Sequence, residues 1–254
     1  MKKTSTREKI SNPRSTTAAA FIGKMKAHQS DDELKKIQKY FKMEKGQYGE
    51  GDKFMGIRMG TLFKMAKESM DMETSEVEKL LESNIHEVRA GAVSIMNNQA
   101  RNKKTPESHR KELFDLYLRR HDRINNWDLV DLGAVHVIGQ YLFDKPRKIL
   151  YKLALSKNMW ERRTAIVSTG YFIKHNDVED TFTIGELMVN DKEDLINKAV
   201  GGWIRHAGRG KHRPRLLSFL DKHAATMPRA ALRYAVEHLS RNQKEYFMGL
   251  AGRK

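Results

Sequence analysis

Apolar residues recur at three- and four-residue steps along most of the chain, a spacing typical of helices that bury one face. Alternation at every second position does not extend beyond a few residues, so no β-strand is predicted. The spacing predicts helices over about 17–28, 31–43, 57–70, 74–83, 86–101, 106–121, 126–143, 145–156, 159–174, 177–190, 193–207, 213–224 and 228–239, with a short helix after 241.

The central segment 124–141 shows this pattern most clearly. Asn126 is placed to cap its helix with a side-chain oxygen, and acidic residues follow in the first turn, where the helix dipole favours them. Trp127 and Asp131 are four residues apart and therefore lie on one side of the helix. The buried face is predicted to consist of Val130, Ala134, Val137, Ile138 and Tyr141.

Similar helices recur along the chain, each opening with a charged residue that small and apolar residues follow. These charged residues are Arg89, Asp131, Arg163, Lys198 and Arg233. The steps between them are 42, 32, 35 and 35 residues, and periods of this length with two helices per repeat indicate an α-solenoid. In a solenoid, corresponding positions of successive repeats lie along one surface. Of the five charged residues on this surface, Asp131 is the one acid and the other four are basic.

The segment 44–56, between the second and third predicted helices, contains four glycines. Since no Gly-Lys-Ser/Thr motif follows, it is interpreted as a connector and not as a phosphate-binding P-loop. Residues 1–16 carry five bases against one acid and are predicted to form a flexible basic arm. Residues 17–254 are predicted to form a single repeat domain.

The composition narrows the class of protein further. Of the 254 residues, 39% are hydrophobic and 31% charged, as in helical globular proteins. No apolar run approaches the roughly 20 residues that cross a bilayer, and the first residues lack the apolar core of a secretory signal. Without cysteine there is no disulfide, thiolate metal site or thiol nucleophile. No HExxH or GxSxG motif occurs. We therefore expect no metal, no cofactor, no membrane partner and a cytoplasmic location.

The charge balance points to a polyanionic partner. The 48 lysines and arginines exceed the 32 acids, for a formal net charge of +16, which favours nucleic acid; the alternative is a solvated lysine-rich surface. The bases are clustered, because no acid occurs between Asp194 and Asp221. The candidate DNA-binding residues are Arg89, Arg162, Lys198, Arg205, Arg209, Lys211, Arg213 and Arg233.

Two clusters could carry chemistry: Trp127 with Asp131, and Trp160 with Arg162 and Arg163. Each also has a purely structural interpretation. Trp127 can pack on a neighbouring helix while Asp131 pairs with an arginine of its own or the next repeat. The second cluster can be ordinary packing between repeats. The residues alone leave both interpretations open.

Three segments together resemble the AlkD-type family of bacterial DNA alkylation repair glycosylases: WDLVD, WERRTAI and KAVGGWIRHAG. FMGIRMGTLFKMAKE and IHEVRAGAVSIM resemble the family's entry segment and first full repeat, so the resemblance covers roughly residues 20 to 240. It implies an all-α solenoid of HEAT-like repeats with a concave, basic DNA-binding face. It also implies hydrolysis of the N-glycosidic bond of cationic alkylpurines, such as 3-methyladenine and 7-methylguanine, without flipping of the base.

The resemblance also implies roles for single residues. Asp131 corresponds to the catalytic aspartate, Trp127 to the first active-site tryptophan and Arg163 to the active-site arginine. Trp203 and Trp160 are expected to contact the substrate. The family's usual KAIGW pattern has its tryptophan four residues after the lysine, whereas here Trp203 comes one residue later, about 100° around the helix. Flanking bases are expected to keep the Asp131 carboxyl ionised.

The sequence thus predicts a monomeric DNA glycosylase of base excision repair, a hydrolase that acts on double-stranded DNA. The main alternative is a non-catalytic HEAT-like module that binds branched or damaged DNA, or RNA. A further alternative is a protein scaffold whose basic face meets an acidic partner. The intact set of Trp127, Asp131 and Arg163 favours the enzyme over both.

Overall fold

The computed structural model describes residues 16–250. Apart from an isolated bridge between Lys53 and Ile85, the regular backbone in this range is helical, which confirms the predicted all-α class. The α-helices are α1 Ala18–Lys26, α2 Asp31–Tyr40, α3 Met59–Glu68, α4 Thr74–Leu81, α5 His86–Arg101, α6 Glu107–Arg119, α7 Trp127–Gly133, α8 Lys148–Ala154, α9 Met159–Ser168, α10 Gly170–Lys174, α11 Glu179–Leu187, α12 Asp194–Ala207, α13 Arg213–His223, α14 Arg229–Ala235 and α15 Arg241–Leu250. A π-helix, Ala134–Gln140, continues α7, and a short 3₁₀ helix, Gly210–His212, precedes α13.

Most predicted boundaries agree with the structure to within a few residues, and the segment 44–56 contains no helix, as expected of a connector. Two predicted helices are divided. The one predicted over 159–174 breaks at Thr169 into α9 and α10, and the one predicted over 126–143 passes from α7 into the π-helix. Residues 1–15 of the predicted basic arm and residues 251–254 lie outside the described range.

One helix of each repeat packs against its counterpart in the next. These contacts run in order through α5, α7, α9, α12 and α14, and α4, α6, α8, α11 and α13 pack behind them. Their apolar faces form one continuous hydrophobic core along the array. The arrangement is an α-solenoid, in which each repeat buries its apolar face against its neighbours. None of the described helices is long and apolar enough to span a membrane.

The π-helix shifts the buried face of the central helix by one residue. Val130, Ala134, Val137 and Ile138 are buried, as predicted. Beyond them Leu142 is 3% exposed, while Tyr141, predicted to be buried, is only partly so. A π-helix bonds i to i+5 and therefore takes more residues per turn than an α-helix. The α-helical period was thus wrong for the last residue of this face.

Gly139 in the π-helix lets the central helix and α9 come close together. A Cβ atom at this position would overlap the carbonyl oxygen of Ser168 in α9. Glycine is therefore required at position 139 because the Ser168 carbonyl leaves no room for a side chain, and not because of the backbone angles of Gly139. This close approach matters for the site, because Asp131 lies on α7 and Arg163 on α9.

Candidate active site

The start of α7 is fixed by Asn126, which is fully buried. Its side-chain oxygen accepts a hydrogen bond from the backbone N–H of Trp127 at 2.8 Å, which confirms the predicted cap. Its amide nitrogen donates to Asp52 at 3.2 Å, so the cap also joins the segment 44–56 to the helix. Trp127 and Asp131 then follow one turn apart on the same side of α7.

Asp131 forms an ion pair with Arg163 of the next inner helix, α9. The arginine Nε and Nη2 donate to the two carboxylate oxygens at 3.0 and 2.7 Å, and Nη1 donates to the Leu195 carbonyl at 2.9 Å. Arg163 is 8% exposed, whereas the Asp131 side chain keeps 40% of its exposure. The arginine therefore holds the carboxylate in one orientation and leaves part of it open to ligands.

The protein atoms around the Asp131 carboxyl raise its pKa above the ordinary value, because they displace part of its hydration. Arg163 opposes this rise, and the nearby charge of Asp128 adds to it. Flanking bases were expected to keep this carboxyl ionised. Arg163 acts in that direction, but burial has the larger effect on the pKa. The side chain is reachable by solvent and yet lies among protein atoms at the base of a cleft.

Two cavities meet at Asp131, and Tyr40 and Trp127 line both of them. The first, of about 500 Å³, is here called the cationic cavity, because its lining includes Arg163, Lys198 and Arg205. The second, of about 640 Å³, is here called the aromatic cavity, because its lining includes Phe41, Phe54, Phe63 and His86. Within residues 16–250, no group of side chains is arranged to hold a metal ion.

Trp127 packs against two aromatic residues at the end of α2. The Phe41 ring lies 5.9 Å from the Trp127 ring at an angle of 20°, and the Tyr40 ring meets it edge-on, also at 5.9 Å. Tyr40 is 66% exposed beside Asp131. Sequence reasoning missed both residues, and the one available signal was a pair of aromatic residues ending a charged helix, KKIQKYFK.

The sequence matches the profile of the DNA alkylation repair enzyme family over residues 22–239. The chain belongs to this family. A solved structure described as a predicted DNA alkylation repair enzyme from Enterococcus faecalis shares the fold, with a TM-score of 0.63 and 15% sequence identity, over 84% of this chain and 98% of that one. No curated protein sequence matches the chain. The family resemblance and the helical repeat fold inferred from the sequence are both confirmed.

Trp203 reaches the cationic cavity despite its offset of one residue from the usual pattern of the alkylation repair family. Its indole is partly buried, and the far edge of the ring lies against Gly170, where a Cβ atom would be 2.5 Å from the ring. Tyr234 of α14 lines the same cavity and lies over Gly202, which occupies the tryptophan position of the family pattern. Aromatic rings from α12 and α14 thus face this cavity.

Trp160, by contrast, is not placed to contact a ligand. It is 8% exposed, packs in the hydrophobic core and lines neither cavity. Its backbone N–H donates a hydrogen bond to the capping side-chain oxygen of Asn158 at 2.9 Å, which fixes the start of α9. The position of Trp160 does not support the predicted contact with substrate, because the residue exposes little surface and lines neither cavity.

Two of the predicted DNA-binding arginines are held in internal ion pairs. Arg89 is 2% exposed, pairs with Asp52 and donates to the Ser83 carbonyl at 3.0 Å. Arg162 holds both carboxylate oxygens of Asp191, at 2.6 and 3.1 Å. Removing one partner of a buried pair costs about 3–5 kcal/mol. Neither arginine could bind a phosphate without giving up its carboxylate partner, so the structure does not support these two assignments.

The other predicted bases lie nearer the surface. Lys198 pairs with Asp194 one turn before it and keeps 41% exposure, and Arg205 pairs with Glu237. Arg209, Lys211 and Arg233 are exposed and Arg213 is partly exposed. Arg209, Lys211 and Arg213 surround the 3₁₀ helix and are here called the basic turn. Within the described residues, no carboxylate pairs with any of these three.

Proposed function

We propose that this protein is a DNA glycosylase that hydrolyses the N-glycosidic bond of positively charged N-alkylpurines, such as 3-methyladenine and 7-methylguanine, in duplex DNA. The observation that supports this most is the geometry of Asp131. One carboxylate is oriented by Arg163, lines the same two cavities as Trp127 and is partly exposed to them. The monomeric state, the absence of a cofactor and the cytoplasmic location stay predictions from the sequence.

A single carboxylate is sufficient for this class of substrate. Glycoside hydrolysis ordinarily uses two carboxyl groups, one of which protonates the leaving group. A purine that is already cationic takes the electron pair of the C1′–N bond and leaves as a neutral molecule, so it needs no proton. The sugar left behind is oxocarbenium-like, and a carboxylate about 4 Å away stabilises it by about 4 kcal/mol at an effective dielectric of ~20. This corresponds to roughly a thousandfold in rate.

The remaining step is addition of water to C1′. In our proposal Asp131 accepts a hydrogen bond from this water and orients it, and the water loses its proton to solvent as the sugar hydroxyl forms. Arg163 keeps the carboxylate in one orientation throughout. The faces of Trp127 and Trp203 attract the cationic base, by about 0.5–2 kcal/mol for each cation–π contact.

We further propose that the base stays in the duplex while the bond breaks. In support of this, Asp131 lies where two open cavities meet and keeps 40% exposure, so a deoxyribose can approach it from the cleft. Lys198 and Arg205 line the cationic cavity. Burial and, after it, the nearby charge of Arg209 in the basic turn lower the pKa of His206, so the cavity's positive charge comes from its lysine and arginines. Positive charge of this kind suits the phosphates on either side of the sugar.

The direct test is incubation of the protein with duplex DNA methylated by dimethyl sulfate, followed by chromatography and mass spectrometry of the free bases. We expect 3-methyladenine and 7-methylguanine to be released faster than by spontaneous depurination. Unmethylated duplex should yield no free base, which controls for base release that does not depend on methylation. Release at the spontaneous rate alone would contradict the proposal.

A non-catalytic module that binds branched or damaged DNA is the second candidate. One observation favours it: Arg163 donates hydrogen bonds to both oxygens of Asp131. Such a contact is also expected of an ion pair whose role is purely structural. The same incubation separates the two candidates. Tight, salt-dependent binding to a branched or methylated duplex without released base would support the binding module.

Replacing Trp203 by alanine is expected to slow base release about tenfold, because one aromatic face toward the cationic base is lost. Trp203→Phe should retain most of the activity, since it keeps an aromatic ring in the cationic cavity. Base release and melting temperature are measured on the same preparations. Unchanged release with a lower melting temperature would mean that Trp203 serves only to pack against Gly170.

A further inference from the structure

A cluster of charged side chains lies beside Trp127, on the wall of the aromatic cavity. At its centre is His86 at the start of α5, whose side chain is 2% exposed. Its Nε2 lies 2.7 Å from an oxygen of Asp128, and its Nδ1 lies 3.4 Å from Asp52, in ion-pair range but without hydrogen-bond geometry. The imidazole therefore bridges two carboxylates from distant parts of the chain.

The charges of this cluster balance only when His86 is protonated. Asp52 and Asp128 bring two negative charges, and Arg89, which pairs with Asp52, brings one positive charge. Asn126 donates a hydrogen bond to Asp52 but carries no charge. A neutral imidazole would leave one negative charge without a partner in a largely buried place, which is costly.

The cluster is connected to Trp127 by two routes. Asp128 directly follows Trp127 in α7, so the position of Asp128 determines the position of the first turn of this helix. The Phe41 ring lies 4.9 Å from the His86 ring and stacks on Trp127 at 5.9 Å. A change at His86 must therefore reach the tryptophan through the backbone and through the stacked rings.

We infer that His86 is a positioning residue of the active site: its protonated imidazole holds Asp52 and Asp128 together and thereby sets the places of Trp127 and Asp131 on α7. The effect on the reaction rests on the proposed glycosylase function. The effect on Trp127 does not, because it depends only on the described contacts.

The imidazole is charged at neutral pH. Burial opposes the charge, but the hydrogen bond and charges of Asp128 and Asp52 outweigh burial and raise the pKa of His86 to about 9. Since this pKa lies above the ordinary value of 6.5, the stabilisation is complete below about pH 6.5 and is lost as the pH rises through about 9. The other charged neighbours are Arg89, paired with Asp52, and Glu87, which accepts backbone N–H groups of the glycine-rich segment.

The test follows Trp127 directly by ¹⁹F NMR. Protein labelled with 5-fluorotryptophan has one resonance for each of its three tryptophans, and Trp127→Phe identifies the relevant one. We expect this resonance to shift with a midpoint near pH 9. His86→Gln should abolish the shift, and the matched control His109→Gln should leave it unchanged. Asp128→Asn should move the midpoint to lower pH, and it serves as the test if His86→Gln does not fold.

The rate of base release supplies a second readout. The kcat of the unmodified protein should fall as the pH rises through about 9, with KM unchanged because phosphate contacts lie elsewhere. His86→Gln should lower kcat about tenfold at neutral pH and remove the alkaline decline. A Trp127 resonance that does not titrate near pH 9, or that titrates identically without His86, would overturn the inference. If the resonance behaves as expected but no base is released, the positioning role of His86 stands and the proposed reaction fails.

Discussion

Replacing Asp131 by asparagine is expected to lower the rate of base release about a thousandfold while DNA binding is retained. Asparagine keeps the size of the side chain and one hydrogen-bond acceptor for Arg163, but it cannot offset a positive sugar. The substitution removes an interaction that grows only toward the transition state, so it affects the rate and not ground-state binding. We expect binding to tighten slightly, since one negative charge is removed from the surface that we propose faces the phosphates.

The same substitution also breaks an ion pair, so stability has to be measured beside activity. Asp191→Asn is the matched control, because Asp191 is likewise held by both prongs of an arginine, Arg162. Its side chain is only 7% exposed, so the control should lower the melting temperature at least as much as Asp131→Asn. Base release per folded molecule should be unchanged in the control. An active Asp131→Asn variant would refute the catalytic assignment.

Alanine at all three positions of the basic turn is expected to weaken DNA binding several hundredfold at 0.1 M salt. Each phosphate contact contributes about −0.9 to the slope of log affinity against log salt, so three lost contacts flatten the slope by about 2.7. If affinity at 1 M salt is unchanged, this corresponds to roughly 500-fold at 0.1 M. The fold should survive, since Arg209 and Lys211 are exposed and Arg213 partly so.

Fluorescence anisotropy with a labelled duplex, recorded over a range of salt concentrations, measures this effect. The control variant replaces Lys148, Lys152 and Lys157 by alanine, which removes the same three charges from exposed positions on and just after α8, behind the inner helices. The slope of this variant should stay close to that of the unmodified protein. Equal slopes for all three proteins would show that the basic turn does not hold DNA.

Periodicity and charge were sufficient for the main features of the fold and for part of the site. The three- and four-residue spacing identified nearly every helix, because each helix buries one face against a neighbouring repeat. Alignment of the repeats placed Asp131 and Arg163 on successive inner helices, and in the structure they are in direct contact. Spacing within one helix sufficed for Trp127 and Asp131, since residues four apart share a face.

Burial and contacts between distant segments were what the sequence did not reveal. Arg89 occupies the predicted row, yet it is paired with Asp52, which belongs to a loop with no predicted partner. Trp127 packs against Tyr40 and Phe41 at the end of α2, whereas Trp127 itself begins α7. Periodicity in the sequence gives no information about contacts between helices so far apart in the chain. The pKa of Asp131 likewise depends on how many protein atoms surround it, which charge counting does not capture.

The π-helix between Ala134 and Gln140 has a consequence for how this chain is compared with its relatives. A π-helix is how a helix absorbs one surplus residue without breaking. The half that carries Trp127 and Asp131 lies before it, and the half that buries Leu142 lies after it. A relative without the surplus residue would keep both halves in place with one residue fewer between them. An alignment that allows no gap inside helices would therefore pair Leu142 with the wrong residue and would regain the correct register only in the loop before α8.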